Sequence, residues 1–207
     1  MSVELPEPGT VRPGGRTARV RSAVLRAAAE ALVDRGFGRI DLPDIARRAE
    51  VGKTTVYRRW GSVAGVVADL LAEMASDSEP RADTGSLGGD LAALAHLIRR
   101  TFADPLHGPL FKAVIAAATC DAEAAEALGR FYRTRAAEWE PCIERARERG
   151  EVPAGTDAAE VIEAVSGPLY YRLLATGKPV DPAAADRAAA AALEAAAAGI
   201  FSSTAEG

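Results

Sequence analysis

The sequence is short of the residues that mark secreted, metal-binding or membrane-spanning proteins. Its 207 residues include two cysteines, Cys120 and Cys142, two histidines and two methionines. With no CxxC pair and no histidine at ligand spacing from either cysteine, a disulfide scaffold and a zinc module are both argued against, and no metal or cofactor is expected. The two thiols are expected to be buried and unpaired, as suits a reducing cytoplasm. No apolar run reaches the roughly 18 residues of a membrane span, so no membrane partner is expected. The N-terminus carries proline, glycine and glutamate where a secretory signal would carry an apolar segment. Aromatic residues make up only 5% of the chain, and β-branched residues are sparse, which argues against a sheet-built protein. Alanine, by contrast, supplies about a fifth of the chain, and that composition predicts an all-α fold.

The formal net charge of −4 conceals a division along the chain. Residues 1–60 hold 12 basic and 7 acidic side chains, a balance of +5, whereas the remainder holds 13 and 22, a balance of −9. A basic head on an acidic body calls for an anionic partner at the head alone. Residues 1–15 are rich in helix breakers and read as a flexible arm. Its Arg12, with Arg16 and Arg19 just beyond, either touches a nucleic-acid backbone or stays disordered. From Thr17 onward, Val20, Val24, Ala27, Ala28, Ala31 and Leu32 recur at three- and four-residue intervals, placing one apolar stripe on a helix that Gly36 ends. Asp41 is the expected N-cap of a second helix near 42–48, with Pro43 in its first turn. A break at Glu50-Val51-Gly52 leads to a third short helix near 53–59, and Ser62 caps a fourth. After a loop over 76–89, helices are expected near 90–103, 109–118, 122–149, 157–175 and 182–201, with Pro141 kinking or splitting the longest. The expected organisation is therefore a helix-turn-helix unit over 16–61 and a helical body over 62–207.

Two short helices joined by a tight turn, the second carrying Lys53, Thr54, Thr55, Tyr57, Arg58 and Arg59, have the form of a helix-turn-helix. Ala46 and Ala49 are small enough for close crossing, and Ile45, Val51 and Val56 form an apolar wedge. Lysine and threonine at the start of the second helix can reach base edges or phosphates, and tyrosine can donate to a phosphate. The stretch RSAVLRAAAEALVDRGFGRIDLPDIARRAEVGKTTVYRRWGSVAGVVADLL, residues 21–71, resembles the DNA-binding domain of the tetracycline-repressor (TetR) family. The resemblance rests on the AAxxLxxxGF helix end, the DIARRA second helix and the VGKTTVYRRW recognition helix. It implies operator contacts from Lys53, Thr54, Thr55, Tyr57 and Arg59, and it makes Trp60 the aromatic that packs helix three onto helix one; Arg58, Arg48 and Arg21 are further candidate DNA contacts. This chain has Asp41, Glu50 and Val63 where the family pattern has threonine, glycine and a phosphate-touching lysine. The segment around GPLYYRLLATG is similar to one subgroup of the family and implies a homodimer formed through the helices near 157–175 and 182–201.

On this reading the protein is a ligand-responsive, DNA-binding transcriptional regulator. It represses from a palindromic operator as a homodimer and is released by a small apolar effector. His96, Phe102, Phe111, Tyr132, Trp139 and Tyr170 are the candidates for an effector site in the helical body, although at helical spacing such residues also serve as plain core. His107, in a turn, is expected to be merely exposed. Gly52-Lys53-Thr54-Thr55 imitates the end of a nucleotide-binding loop, but Arg47 stands where that motif needs glycine and no strand precedes it. No nucleophile, acid–base pair or metal set stands out, so no catalytic residue is assigned and no enzymatic activity is expected. The alternative is a ligand-binding or protein-interaction dimer with a degenerate DNA-binding head, for which Glu50 and Val63 are the motive.

Overall fold

A computed structural model describes residues 15–76 and 82–202. The arm expected over 1–15, with Arg12, lies outside the described residues except for Gly15, as do the Arg16 side chain and part of the 76–89 loop. Among the described residues the chain forms α1 (Gly15–Arg35), α2 (Leu42–Arg48), α3 (Lys53–Trp60), α4 (Val63–Ser76), α5 (Leu87–Ala103), α6 (His107–Ala118), α7 (Ala122–Glu148), α8 (Ala158–Tyr171) and α9 (Pro182–Ala197). The only β pairing among the described residues is a single bridge between Thr156 and Ser202. The all-α expectation holds.

Short polar side chains set where the helices begin. The N–H groups of a helix's first turn have no partner within the helix, and an aspartate or serine just upstream supplies one. Asp41 accepts from Asp44 N at 2.7 Å and Ser62 from Gly65 N at 2.9 Å. Asp121 accepts from Ala124 N at 2.8 Å and Asp181 from Ala184 N at 2.7 Å. At the other end of α1, Gly36 (φ 74°) turns the chain out of the helix, as its place in the sequence predicts.

The core lies in two main clusters. The first joins Val24, Leu25 and Leu32 of α1, Ile45 of α2, Val56 of α3, and Val66, Val67, Leu70 and Leu71 of α4. The cluster also takes in Leu110 and Val114 of α6 and Ala127 and Leu128 of α7, so through α4 it spans the division at residue 61. The second is built from α5, α7, α8 and α9, including Leu87, Leu91, Ile143, Val161, Val165 and Leu169. Met74 of α4 and Phe131 of α7 pack against both clusters and join them.

Two expectations are corrected and one is narrowed. Of the two outcomes expected at Pro141, a kink or a split, the split does not occur, and α7 runs unbroken for 27 residues. Proline in a helix interior removes one hydrogen bond at a cost of roughly 3 kcal/mol, but the buried Trp139, Cys142, Ile143 and Ala146 anchor this helix on both sides of it. The helix expected to reach 175 ends as an α-helix at Tyr171, widens into a π turn over Arg172–Thr176 and stops at left-handed Gly177. Of the two cysteines only Cys142 is buried, and Cys120 is exposed in the turn after α6. Burial pushes the Cys142 thiol up to about 11.

Candidate nucleic-acid interface and internal cavity

The turn between α2 and α3 fixes how α3 is presented. Val51 N donates to Ala46 O at 2.9 Å and Glu50 N to Arg47 O at 3.2 Å. These paired bonds form a Schellman C-cap, whose turning residue must be left-handed and is usually glycine. Here it is Glu50, with φ +55°, the one non-glycine among the described residues at positive φ. A side chain in that conformation costs about 1 kcal/mol. Glu50→Gly is therefore expected to raise stability by about 1 kcal/mol, or roughly 2–4 °C in Tm for a chain of this size. Urea denaturation is the check, and an unchanged midpoint would rule out strain at this position.

Val56 of α3 is fully buried, whereas Lys53, Thr54, Tyr57, Arg58 and Arg59 are exposed and Thr55 is half-buried. An eight-residue helix thus shows solvent a row of hydroxyl and cationic groups. Its C-terminal end is held firmly. Trp60 is buried in the head cluster alongside α1, and its indole N–H donates to Asp69 Oδ2 of α4 at 2.9 Å. The Arg59 guanidinium lies 5.0 Å from the centre of the Trp60 ring, a cation–π contact.

Asp69 also accepts from Arg21 of α1, at 3.1 Å from Nε and 2.8 Å from Nη2, and Arg21 Nη1 donates to Glu73 at 2.6 Å. Burial pushes the Asp69 carboxyl up, but the hydrogen bonds from Arg21 and Trp60, with the Arg21 and Arg59 charges, outweigh it and hold the group below its ordinary value. The α1, α3 and α4 helices are thereby tied at one carboxylate.

Beneath this knot lies a cavity of about 1280 Å³, partly open to solvent and bounded by α1 and α4 to α8. Leu70, Glu73 and Met74 of α4 form part of its wall, so the helix that carries Asp69 also faces the cavity. Phe102, Phe111, Phe131, Tyr132, Trp139 and Tyr170 supply aromatic surface. The end of α5 meets α6 closely at this corner, since a Cβ on Gly108 would lie 2.4 Å from the Phe102 carbonyl oxygen.

Residues 24–70 match the model of the bacterial regulatory proteins of the tetR family, and residues 81–192 match that of the tetracyclin repressor-like C-terminal domain. The transcriptional regulator YdeS of Bacillus subtilis, itself uncharacterised, is 34% identical over 160 residues, which span 77% of this chain and 80% of YdeS. The chain belongs to the tetracycline-repressor (TetR) family. AqdR, a regulator from Rhodococcus erythropolis, is 29% identical over 84% of both chains. Among solved structures, the TetR-family regulator SCO0332 superposes with a TM-score of 0.68 at 28% identity, over 85% of this chain and 97% of its own. Salmonella enterica GusR has the same fold, with a TM-score of 0.67 at 20% identity over 88% and 95% of the two chains. As a TetR-family protein it is a DNA-binding transcriptional regulator, and its relatives are regulators rather than enzymes.

Within the TetR frame the candidate residues separate into two groups. Lys53, Thr54, Thr55, Tyr57, Arg58 and Arg59 stand together on α3. Arg48 and Arg21 do not join that row. Arg48 pairs with Asp34 and Asp44, each at 3.2 Å, and Arg21 is held by Asp69 and Glu73. Val63, at the family's lysine position, packs against the head cluster. Of the six candidates for the effector site, Phe102, Phe111, Tyr132, Trp139 and Tyr170 line the cavity. His96 does not. It sits on the outer edge of α5 with Nε2 2.7 Å from Asp186 of α9, a partner 90 residues away that no periodicity reveals. His107, expected to be merely exposed, lines the cavity, as does Phe131. Asp69 and Glu73 were missed, although two carboxylates four residues apart in the apolar α4 run were a visible signal. Among the described residues no helix is long and apolar enough to cross a membrane.

Proposed function

We propose that the protein is a homodimeric, cytoplasmic repressor that binds a palindromic operator through α3 and is released by a small molecule held in the cavity. The observation that carries this reading is the position of α4. One stretch of it receives Trp60, the end of the recognition helix, at Asp69, and the next turn, with Glu73 and Met74, walls the cavity. Two reading heads on one face of B-DNA sit about 34–36 Å apart. A ligand that binds better to a different α4 position lowers operator affinity by its differential affinity for the two arrangements.

The two copies would meet through α8 and α9. The face of α8 turned away from the cavity carries Glu160, Ala164, Pro168 and Tyr171, and the outer face of α9 exposes Ala183, Arg187, Ala190 and Ala191. Small residues on both faces allow close helix–helix approach. The buried alanine stripe of α9, from Ala184 to Ala196, packs inside the protomer, so its outer alanines are those left for a partner. With the acidic body held off the duplex, the basic head alone meets phosphate.

The test is salt-dependent binding to the DNA flanking the protein's own coding region. Lys53→Ala is expected to weaken binding about tenfold and to lower the slope of log affinity against log salt by about 1. Tyr57→Phe is expected to weaken it by a few-fold, through one lost phosphate contact. Variants that bind as tightly as the parent, with the parent slope, would remove α3 from the interface. The second reading, a dimer with a degenerate head, draws on Glu50 and Val63. It predicts that only a Glu50→Gly/Val63→Lys protein selects any DNA from a random pool.

A further inference from the structure

We infer that the effector is an uncharged molecule built on a flat aromatic ring system with a hydrogen-bonding substituent, received by a closed circuit of five aromatic side chains. The inference rests on the reading of the cavity as the effector site and names the chemical class that site takes.

The circuit is seen in the ring contacts. Phe102 meets Tyr170 with centroids 4.8 Å apart and planes at 85°, and Tyr170 meets Tyr132 at 5.8 Å and 80°. Tyr132 meets Phe131 at 5.4 Å and 71°, Phe131 meets Phe111 at 5.6 Å and 58°, and Phe111 returns to Phe102 at 6.0 Å and 69°. Four helices, α5 to α8, contribute to one ring, and all five side chains line the cavity. The chain has only 11 aromatic residues. Phe102, Phe111 and Trp139 are buried members of the second cluster and Phe131 and Tyr170 pack against it, so the circuit is the edge of the core where it borders the open cavity.

Edge-to-face neighbours of this kind present both electron-rich faces and electropositive edges. A planar guest can take either contact with several rings at once, whereas a saturated guest of the same outline gains only the burial of its surface. The polar atoms within the circuit are the Tyr132 and Tyr170 hydroxyls, which interact with each other. Burial pushes both upward, Tyr170 the more strongly, so they remain neutral hydrogen-bonding groups. Charged groups elsewhere in the wall come in both signs, Arg26, Arg100, Arg133 and Arg135 with Glu73, Asp104 and Glu163. No single sign of charge surrounds the guest, and the two hydroxyls suit a neutral substituent.

The experiment compares 2-naphthol with its saturated counterpart, trans-decahydro-2-naphthol, by isothermal titration calorimetry on the full chain and on the Phe131→Leu protein. The expected result is a Kd for 2-naphthol at least about tenfold lower than for the decahydro compound, with the ratio falling toward one in Phe131→Leu. Equal or tighter binding of the decahydro compound overturns the aromatic class while leaving the cavity as a small-molecule site. A preference unchanged by Phe131→Leu places the guest away from the circuit and overturns the inference. Binding of neither compound overturns both the class and the cavity's role as an effector site.

Discussion

Replacing Gly65 with alanine is expected to destabilise the protein by about 3 kcal/mol, at the upper end of what overpacking costs, and to lower Tm by roughly 6–12 °C. Gly65 lies in the first turn of α4, where the chain doubles back from α3. A Cβ built there would sit 2.2 Å from the Trp60 carbonyl oxygen, 3.2 Å from its carbon and 3.3 Å from Ser62 Oγ. The first of these distances is far inside van der Waals contact, and the obstacle is backbone, which has no rotamer by which to withdraw. Either α3 moves at its Trp60 end or the first turn of α4 opens. The second route also breaks the cap, because Ser62 Oγ accepts from Gly65 N at 2.9 Å while donating to Glu123 of α7 at 2.9 Å. Gly129→Ala is the matched control. That glycine lies within α7, and its new methyl would meet only the tip of the Arg133 side chain, at 3.3 Å. It is expected to stabilise by up to about 1 kcal/mol, the propensity difference between the two residues. Urea denaturation of both variants is the measurement. A Gly65→Ala protein as stable as the parent would mean that α3 and α4 do not approach as closely as described.

The approach at Gly65 also marks where sequence reading stops. Features that are local in the chain were legible: the Asp41 and Ser62 caps, the Gly36 stop, the bounds of α2, and the exposed row on α3. Each depends on residues within one or two turns of each other. A glycine inside an apolar helical run also signals that something comes close, but not what, because the Trp60 carbonyl is brought to it by a turn geometry and not by a pattern. The cavity shows the same boundary in another form. Periodicity placed Phe102, Phe111, Tyr132 and Tyr170 on inward faces, and inward is the same face whether it meets packed side chains or open space. The choice depends on how four helices diverge, which is a property of the assembly. The partners of His96 and Arg21 were illegible for a related reason. Each is satisfied by a carboxylate 48 to 90 residues away, and long-range charge pairing has no period. At Pro141 the split, one of the two outcomes expected there, is absent, because buried side chains on either side hold α7 together.

The carboxylate that joins the head to the cavity should give the second large effect. Asp69→Ala is expected to cost about 2–3 kcal/mol and to weaken operator binding more than tenfold. The substitution removes the shared acceptor, leaving the Trp60 indole N–H unpaired and Arg21 with Glu73 as its remaining carboxylate, and an unpaired polar group out of water is costly. Loss of binding follows because Trp60 is the last residue of α3 and Asp69 is its hydrogen-bonded tether to α4. Asp69→Asn separates the two roles. Its amide oxygen can still accept from Trp60, but it carries no charge for Arg21, so stability should fall by less and DNA binding should be largely retained. The pH dependence has a definite sign. The folded-state carboxyl is held below its ordinary value, so its contribution is fully present above the unfolded pKa of about 3.9 and is lost as pH falls through the folded value. The stability gap between the parent and Asp69→Asn should therefore be constant from neutral pH down to about 5 and close below about 4. A gap that widens on acidification would show that Asp69 is not stabilised as an anion. Glu73 gives the knot its direction, because it shares Arg21 with Asp69 and also faces the cavity. Glu73→Gln should leave operator affinity within a few-fold of the parent while blunting release by a cavity ligand. An Asp69→Ala protein that binds DNA as tightly as the parent would mean that α4 does not carry the signal between the two sites.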